Sequence, residues 1–318
     1  SIKISTALKN NKIIPFSSNS LPFSEEVISN WEHTLAITIS AGQLAALVAD
    51  PTSITGYSAS STITITGQIT HTEASTLNSV AATAVTATVA PTTAANLAAI
   101  TVRSGRTNNF TLTTTDTSAS ASALSAVKSS SSLAPVFTSV GAITSSSAND
   151  IIALYTPVTG AGVSTNATLG NETIALSGAT VTAIDLNTID GYTTGAVTTV
   201  ATTITGTAAA VEIALDSAGL IGTATDTTTT VDITITDTTV PAEALNDVND
   251  STTGTVTVNS SAISGTNAEV LAALQANAAT PADGNTISGM DAINVTLVDG
   301  NNTFSVDQVN AIDALTTG

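Results

Sequence analysis

The sequence predicts a repetitive, β-rich α/β fold: an elongated solenoid of short helix–strand coils of about 30 residues each, paired into repeats of about 60 residues. Three observations lead to this prediction. Two short motifs alternate along the chain, runs of alternating β-branched residues follow them, and the composition is 42 % hydrophobic but only 3 % aromatic and 9 % charged. Small aliphatic residues in ordered patterns suit thin layers that are stabilised by stacking. A string of small β-sandwich domains is the alternative.

The first motif, called motif A, has the form Leu-Asn-x-Ile or a close variant of it, and its later copies are about 60 residues apart. Three copies continue into Thr-Thr-Gly, which ends at Gly195, Gly254 and Gly318. The five copies occupy 77–80, 124–127, 186–189, 245–248 and 309–312.

The second motif, called motif B, begins with Ser or Thr and ends in an apolar pair such as Ala-Leu. Its copies alternate strictly with those of motif A, an order that is difficult to obtain by chance. The five copies occupy 40–47, 93–100, 147–154, 207–215 and 266–274.

Both motifs predict short helices. A Ser or Thr side chain at the start can accept a hydrogen bond from a free backbone N–H group, and apolar residues such as Val270 and Leu274 follow at helical spacing. Pro241 stands where a first helical turn tolerates proline. Thr-Thr-Gly predicts a helix stop in which glycine takes a positive φ. Capping boxes are predicted at Ser40 with Gln43, at Thr266 with Glu269 and at Ser305 with Gln308.

After each helix, Thr alternates with Ile or Val, which is the period-two pattern of a half-buried strand. The Thr side chains would face water, and the Ile and Val side chains would face the core. Strands of neighbouring coils would stack into one long sheet with the helices on its other side. Examples of such runs are 62–66, 84–89, 196–200, 231–235 and 293–297.

Residues 1–38 differ from the rest of the chain because they combine Lys residues with the aromatic side chains of Phe16, Phe23 and Trp31. We expect this segment to be a cap or an assembly arm that docks on a neighbouring molecule. The repeat array would stop just before an expected strand, which predicts either a longer chain or an open end that meets another molecule. The array covers 39–318, in approximate units 39–92, 93–146, 147–206, 207–265 and 266–318.

The formal net charge of the chain is −18, from 6 Lys and Arg against 24 Asp and Glu. Because contacts to phosphate need basic groups, we expect no nucleic-acid partner. No window approaches the roughly 20 unbroken apolar residues that a membrane-spanning helix needs, so we expect no membrane span. The chain has no cysteine and therefore no disulfide framework.

The sequence lacks the common catalytic motifs: it has no Ser-His-Asp set, P-loop, His-Glu-x-x-His or dinucleotide fingerprint. Its only histidines are His33, in the terminal segment, and His71, at a predicted helix start where a capping or surface role is far more common than catalysis. We therefore expect no enzyme activity.

Calcium is the one cofactor that the sequence suggests. Asp and Asn supply the hard oxygen ligands that calcium prefers, but the same residues commonly make turns and caps, and the second interpretation is favoured. No EF-hand loop accompanies them. The three candidate clusters are Asp185, Asn187 and Asp190; Asn246, Asp247, Asn249 and Asp250; and Asp299, Asn301 and Asn302.

The Leu-Asn-Thr-Ile-Asp…Thr-Thr-Gly segment at 186–195 and the Ile-Thr-Gly-Thr-Ala-Ala segment at 204–209 resemble the repeats of very large secreted, S-layer-like or adhesin-like surface proteins of marine cyanobacteria. Similar arrays occur in fibre proteins of bacterial surfaces and phages. The resemblance covers roughly residues 40–318, although the copy of motif A at 124–127 lacks the asparagine. It implies a structural or adhesive role at a cell surface.

Together these features favour an extracellular structural protein that self-assembles into a filament or surface layer through its N-terminal arm and its open solenoid end. Its partners would be copies of itself. The alternative is an adhesin or virion fibre that recognises a cell surface or a glycan, in which case the chain would belong to a cell surface or a virus particle.

Overall fold

The computed structural model describes residues 6–9, 12–15, 36–42, 44, 62–80, 84–101, 108–156, 168–216, 230–278, 286–298 and 304–318. In these residues the chain has an α/β fold with short helices and parallel sheets, and none of these sheets closes into a barrel. The chain divides into two compact units. The first comprises Ser1–Gly141 with Ala153–Leu169, and the second comprises Ala142–Ile152 with Gly170–Gly318.

Nine helices occur in the described part of the chain, and each coincides with a copy of motif A or motif B. The prediction of a helix at both motifs is therefore confirmed for these copies. The first copy of motif B is described only at 41, 42 and 44, which are helical. The helices are α1 (His71–Val80), α2 (Ala94–Ala98), α3 (Ala121–Ser129), α4 (Ala148–Tyr155), α5 (Ala183–Asp190), α6 (Ala208–Asp216), α7 (Ala242–Asp250), α8 (Asn267–Ala278) and α9 (Val306–Asp313).

Ser and Thr side chains cap most of these helices, as predicted. Pro241 is the residue before α7 rather than part of its first turn, and it gives no side-chain cap. The predicted box at Ser40 includes Gln43, which lies outside the described residues. Capping boxes form at Thr70 with Glu73, which the motifs did not predict, and at Thr266 with Glu269 and Ser305 with Gln308, which they did.

Every strand run predicted from the sequence is present as a strand. The strands are β1 (Thr6–Lys9), β2 (Lys12–Pro15), β3 (Ala36–Ser40), β4 (Thr62–Ile69), β5 (Ala84–Val89), β6 (Asn108–Thr111), β7 (Ser118–Ala119), β8 (Ala142–Ser146), β9 (Thr173–Leu176), β10 (Thr180–Thr182), β11 (Val197–Thr199), β12 (Thr203–Gly206), β13 (Asp232–Ile235), β14 (Thr239–Pro241), β15 (Thr255–Val258), β16 (Ala262–Gly265), β17 (Thr286–Ser288) and β18 (Asn294–Leu297).

In the second unit the chain repeats a module of two short strands followed by one helix, whereas the sequence patterns predicted one strand per helix. The short strands β10, β12, β14 and β16, directly before α5 to α8, have no extended alternating run and were not predicted, whereas the run at 293–297 predicted β18, directly before α9. The five modules are β9–β10–α5, β11–β12–α6, β13–β14–α7, β15–β16–α8 and β17–β18–α9.

Parallel pairing joins successive modules of the second unit. Strands β8, β9 and β11 lie side by side, β10, β12, β13, β15 and β17 form a second sheet, and β14, β16 and β18 form a third. Between β12 and β13 the second strand of one module pairs with the first strand of the next. This pairing does not match tandem β-sandwiches, whose strands pair antiparallel.

The first unit contains a parallel sheet in the order β3, β4, β5, β6, whereas β1 and β2 form an antiparallel pair. The boundary predicted at residue 38 between the arm and the repeat array falls inside β3.

The core of both units consists of aliphatic side chains from the inner faces of the strands and helices. In β13, Ile233 and Ile235 are buried while Asp232 and Thr234 point outward, as the alternation predicted. Two aromatic residues of the first unit, Phe110 and Phe137, are also fully buried. Thin layers of Ala, Val, Ile and Leu thus supply most of the buried apolar surface.

Candidate assembly interface

The asparagine of motif A ties one module to the next. The Nδ2 of Asn187, on α5, donates to the carbonyl oxygen of Ala210, on α6, at 2.9 Å. Asn246, on α7, makes the equivalent bond to the carbonyl oxygen of Glu269, on α8, at 3.0 Å. In both cases a motif A helix donates to the first turn of the motif B helix that follows it. The asparagine is therefore part of the contact between helices.

In two modules of the second unit, the Thr-Thr-Gly segment contacts the residue directly before the first strand of the same module, whereas in the last module Thr316 donates to the carbonyl oxygen of Ile293, directly before β18, at 3.0 Å. The buried hydroxyl of Thr193 donates to the carbonyl oxygen of Glu172 at 2.6 Å, and that of Thr252 donates to the carbonyl oxygen of Val231 at 2.7 Å. After one circuit of strand, strand and helix, the chain therefore returns beside the residue where the circuit began. Ser131 makes the same contact in the first unit, to the carbonyl oxygen of Phe110.

The glycine of this segment is needed for close approach and not for its φ angle. An added Cβ atom would lie 2.3 Å from the carbonyl oxygen of Glu172 at Gly195 and 2.2 Å from that of Val231 at Gly254. Neither glycine is among those with positive φ, so the prediction of a left-handed stop is wrong. The chain therefore leaves the helix without a left-handed residue at this glycine. Glycine is required because the neighbouring backbone carbonyl leaves no space for a side chain.

The motif A helices α3, α5 and α7 bury one apolar face completely, whereas α9 does not. The first residue of α5 and α7 and both apolar positions of their motifs have no exposed surface. In α9 the corresponding residues are Val306, 74 % exposed, Val309, 46 % exposed, and Ile312, 6 % exposed. The fully buried residues are Ala183, Leu186 and Ile189 in α5 and Ala242, Leu245 and Val248 in α7.

Asn310 holds the same motif position on α9 as Asn187 and Asn246 do on their helices, and its side chain is exposed. On α9, Val306, Val309 and Asn310 therefore hold the positions of two buried apolar residues and of the asparagine that contacts the following helix in α5 and α7. We call these three residues the α9 face.

A buried lysine in the first unit joins α3 to the C-terminal end of α4. Lys128, the basic residue in the last turn of α3, is 5 % exposed. Its Nζ donates to the carbonyl oxygen of Leu154 at 2.7 Å and to that of Thr156 at 3.1 Å, at the C-terminal end of α4. Burial lowers the pKa of Lys128. The sequence analysis missed this role, although Lys128 is a basic residue directly after the copy of motif A at 124–127.

The residues proposed for calcium are distributed along helices in the part of the chain that is described. Asn187 and Asn246 use their Nδ2 atoms in the contacts between modules, and the carbonyl oxygen of Asp247 accepts from Ser251. No group of three or more His, Asp or Glu side chains within the described ranges could hold a metal ion. Calcium binding stays a prediction. The remaining candidates, Asp299, Asn301 and Asn302, lie outside the described residues.

The predicted assembly residues Phe16, Phe23 and Trp31 also lie outside the described residues, as does His33. His71 is the first residue of α1. Among the described helices, none is long and apolar enough to cross a membrane.

Comparison of the chain with models of protein families, with curated proteins and with solved structures finds no match.

Proposed function

We propose that the modules form a solenoid and that the chain is an extracellular structural protein that assembles end to end into a filament or surface layer. Three features support a solenoid: the parallel pairing of successive modules, the Thr-Thr-Gly contact that returns the chain to the start of the module at Thr193 and Thr252, and the asparagine contact between neighbouring helices. In such a fold each layer is stabilised mainly by the layers on either side of it.

The α9 face is the observation that carries the assembly proposal. Val306 and Val309 occupy positions that are fully buried in α5 and α7, and burying a Val side chain contributes about 1.5 to 3 kcal/mol. Inside the second unit, the same positions on α5 and α7 include the asparagine that contacts the motif B helix of the following module. A partner with a motif B helix therefore fits the α9 face.

The partner is a second copy of this chain. α9 is a motif A helix, and inside the second unit the motif A helices α5 and α7 contact the motif B helices that follow them. Every copy of the chain contains such motif B helices, so a second copy has the surface that the α9 face fits. The arm at 1–38, with Phe16, Phe23 and Trp31, adds a second docking element.

The extracellular location rests on the resemblance to secreted surface proteins and on composition. A net charge of −18 and a surface rich in hydroxyl groups suit a protein that must stay dispersed until it assembles in a salty medium.

Sedimentation velocity of the full chain tests the assembly proposal with a matched pair of variants. Val306→Lys places a charge on the α9 face, whereas Ile213→Lys places one on α6 at a residue that is also exposed, at 61 %. We expect the wild-type chain and Ile213→Lys to form large, concentration-dependent species, and Val306→Lys to stay monomeric, because a lysine charge resists burial.

A wild-type chain that is monomeric at every concentration contradicts the proposal, and binding of that monomer to cells or glycans would support the adhesin alternative. Equal loss of assembly in both variants would show that the effect is not specific to the α9 face.

A further inference from the structure

A regular array of hydroxyl groups covers the outer side of one sheet in the second unit. In the sheet of β10, β12, β13, β15 and β17, each strand carries two outward residues separated by one inward residue. The first row across the strands is Thr180, Thr203, Asp232, Thr255 and Thr286, and the second row is Thr182, Thr205, Thr234, Thr257 and Ser288. We call these ten residues the threonine face, and each of them is exposed or half-exposed.

The threonine face is held rigid from behind. The inward residue of each strand is a β-branched apolar side chain with almost no exposed surface, and these side chains pack in one continuous row. Parallel pairing keeps the strands in register, so the outward hydroxyl groups keep a fixed spacing. The inward row is Val181, Ile204, Ile233, Val256 and Ile287.

The array is longer in this sheet than in the other sheets. In the neighbouring sheet of β14, β16 and β18, the outward rows are Thr239, Ala262 and Asn294, and Pro241, Ser264 and Thr296. In the first unit, outward Thr residues also lie side by side, at Thr38, Thr64 and Thr86. The strand preference of Thr therefore accounts for part of the array, and the length of its two rows distinguishes the threonine face.

The face is almost free of charge in a chain that is strongly acidic. Its only ionisable residue is Asp232, and the Oδ1 of Asp232 accepts a hydrogen bond from the backbone N–H of Thr255 at 2.8 Å. Neighbouring hydroxyl groups approach each other, at 3.5 Å between Thr286 and Thr255 and 3.4 Å between Ser288 and Thr257. Hydroxyl groups in such rows can hold water in fixed positions.

We propose that the threonine face binds ice. The strands that carry it repeat at about 4.8 Å across the sheet, and its outward residues repeat at about 6.7 Å along each strand, the latter being two residues of a strand. Both distances are close to repeats between water oxygens on the prism faces of hexagonal ice. Water that is ordered at these spacings can join the ice lattice with little rearrangement. The protein loses little conformational entropy on binding, because the buried row of Val and Ile side chains holds the face rigid.

Crystalline polysaccharide is the other flat, regular ligand with hydroxyl chemistry. Binding of sugar rings typically uses aromatic side chains for stacking, and none of the ten residues of the threonine face is aromatic. The observations therefore favour ice, and polysaccharide binding becomes an outcome of the test. This proposal does not depend on self-assembly of the chain.

Thermal hysteresis, the gap between the melting and freezing temperatures of a single ice crystal, tests the proposal. We expect the full chain to produce a gap and to facet the crystal. Thr257→Lys, in the middle of the face, should reduce the gap to that of buffer, because a charged side chain keeps its own hydration shell. Thr296→Lys, on the neighbouring sheet, is the matched control and should leave the gap unchanged.

Asp232→Thr completes the first row and should widen the gap at equal protein concentration. Circular dichroism checks that each variant folds. The absence of both hysteresis and faceting in the wild-type chain, equal losses from Thr257→Lys and Thr296→Lys, or wild-type binding to chitin or cellulose particles without an effect on ice would each overturn the proposal.

Discussion

At the scale of single residues, the turn between modules depends on two small side chains with different roles. The Thr252 hydroxyl donates to the carbonyl oxygen of Val231 and accepts from the backbone N–H of Gly254 at 3.0 Å. It therefore provides a partner for two backbone groups in a place where no strand ladder does. Gly254 is required because the carbonyl of Val231 occupies the space of a side chain. Threonine and glycine thus fix how closely one circuit lies on the previous one.

The first prediction concerns Gly254→Ala. The new Cβ atom would lie 2.2 Å from the carbonyl oxygen of Val231, so the two segments must separate. We expect a loss of about 1 to 3 kcal/mol, as for other overpacked sites, measured as a lower midpoint of thermal unfolding.

Gly191→Ala is the matched control, since Gly191 has φ −66° and an added Cβ atom there would lie 3.4 Å from its nearest neighbour. We expect it to change stability by less than about 0.5 kcal/mol. Equal midpoints for Gly254→Ala and Gly191→Ala would contradict the account of the turn.

The role of this glycine shows where sequence reasoning stops. The Thr-Thr-Gly pattern predicts correctly that a helix ends before it, because glycine is common after helices. The pattern carries no information on which backbone segment passes beside the glycine one circuit earlier. Both left-handed φ and close approach select glycine, and only the fold distinguishes them.

At the scale of helices and strands, local patterns account for most of what was predicted. Apolar residues at helical spacing behind a Ser or Thr cap predicted α1 to α9, and alternation of Thr with Ile or Val predicted strands such as β5 and β13. The second strands β10, β12, β14 and β16 were missed because their residues do not form an extended alternation of Thr with Ile or Val, whereas such a run at 293–297 predicted β18. At β12 and β13, the second strand of one module pairs with the first strand of the next. Sequence periodicity does not predict this pairing, because it contains no information on which strands of two modules lie side by side.

Lys128 provides a prediction at this scale because it connects α3 to the end of α4. Burial lowers the pKa of Lys128 from its ordinary value of 10.5. Between the lowered pKa and 10.5, the unfolded chain binds more protons than the folded chain, so the free energy of unfolding increases with pH. The cost of burying the charge is fully present below this window and is relieved as pH rises through it.

Lys128→Met removes the titrating group while keeping a long apolar side chain. We expect the difference in free energy of unfolding between the wild-type chain and Lys128→Met to change in favour of the wild type as pH rises through the window. Chemical unfolding at several alkaline pH values measures this difference. A difference that is independent of pH would contradict the account of Lys128.

At the scale of the whole molecule, charge and apolar surface have opposite effects on association. The net charge of −18 makes copies of the chain repel one another. The exposed Val306 and Val309 offer apolar surface that a second copy would cover. Because salt screens repulsion at distances beyond about 10 Å at 0.1 M, assembly should be stronger in salty media. The composition predicted a repeat protein with an acidic surface, but only the exposure of α9 indicates where a partner would dock.

Electron cryomicroscopy of the assembled wild-type chain tests the central claim most directly. If modules stack as a solenoid that continues from one copy to the next, filaments or fibres within a layer will show a spacing of about 4.8 Å along their axis, the distance between neighbouring strands. Assemblies that lack this spacing along their axis, or a wild-type chain that stays monomeric at high concentration in salt, would contradict the claim.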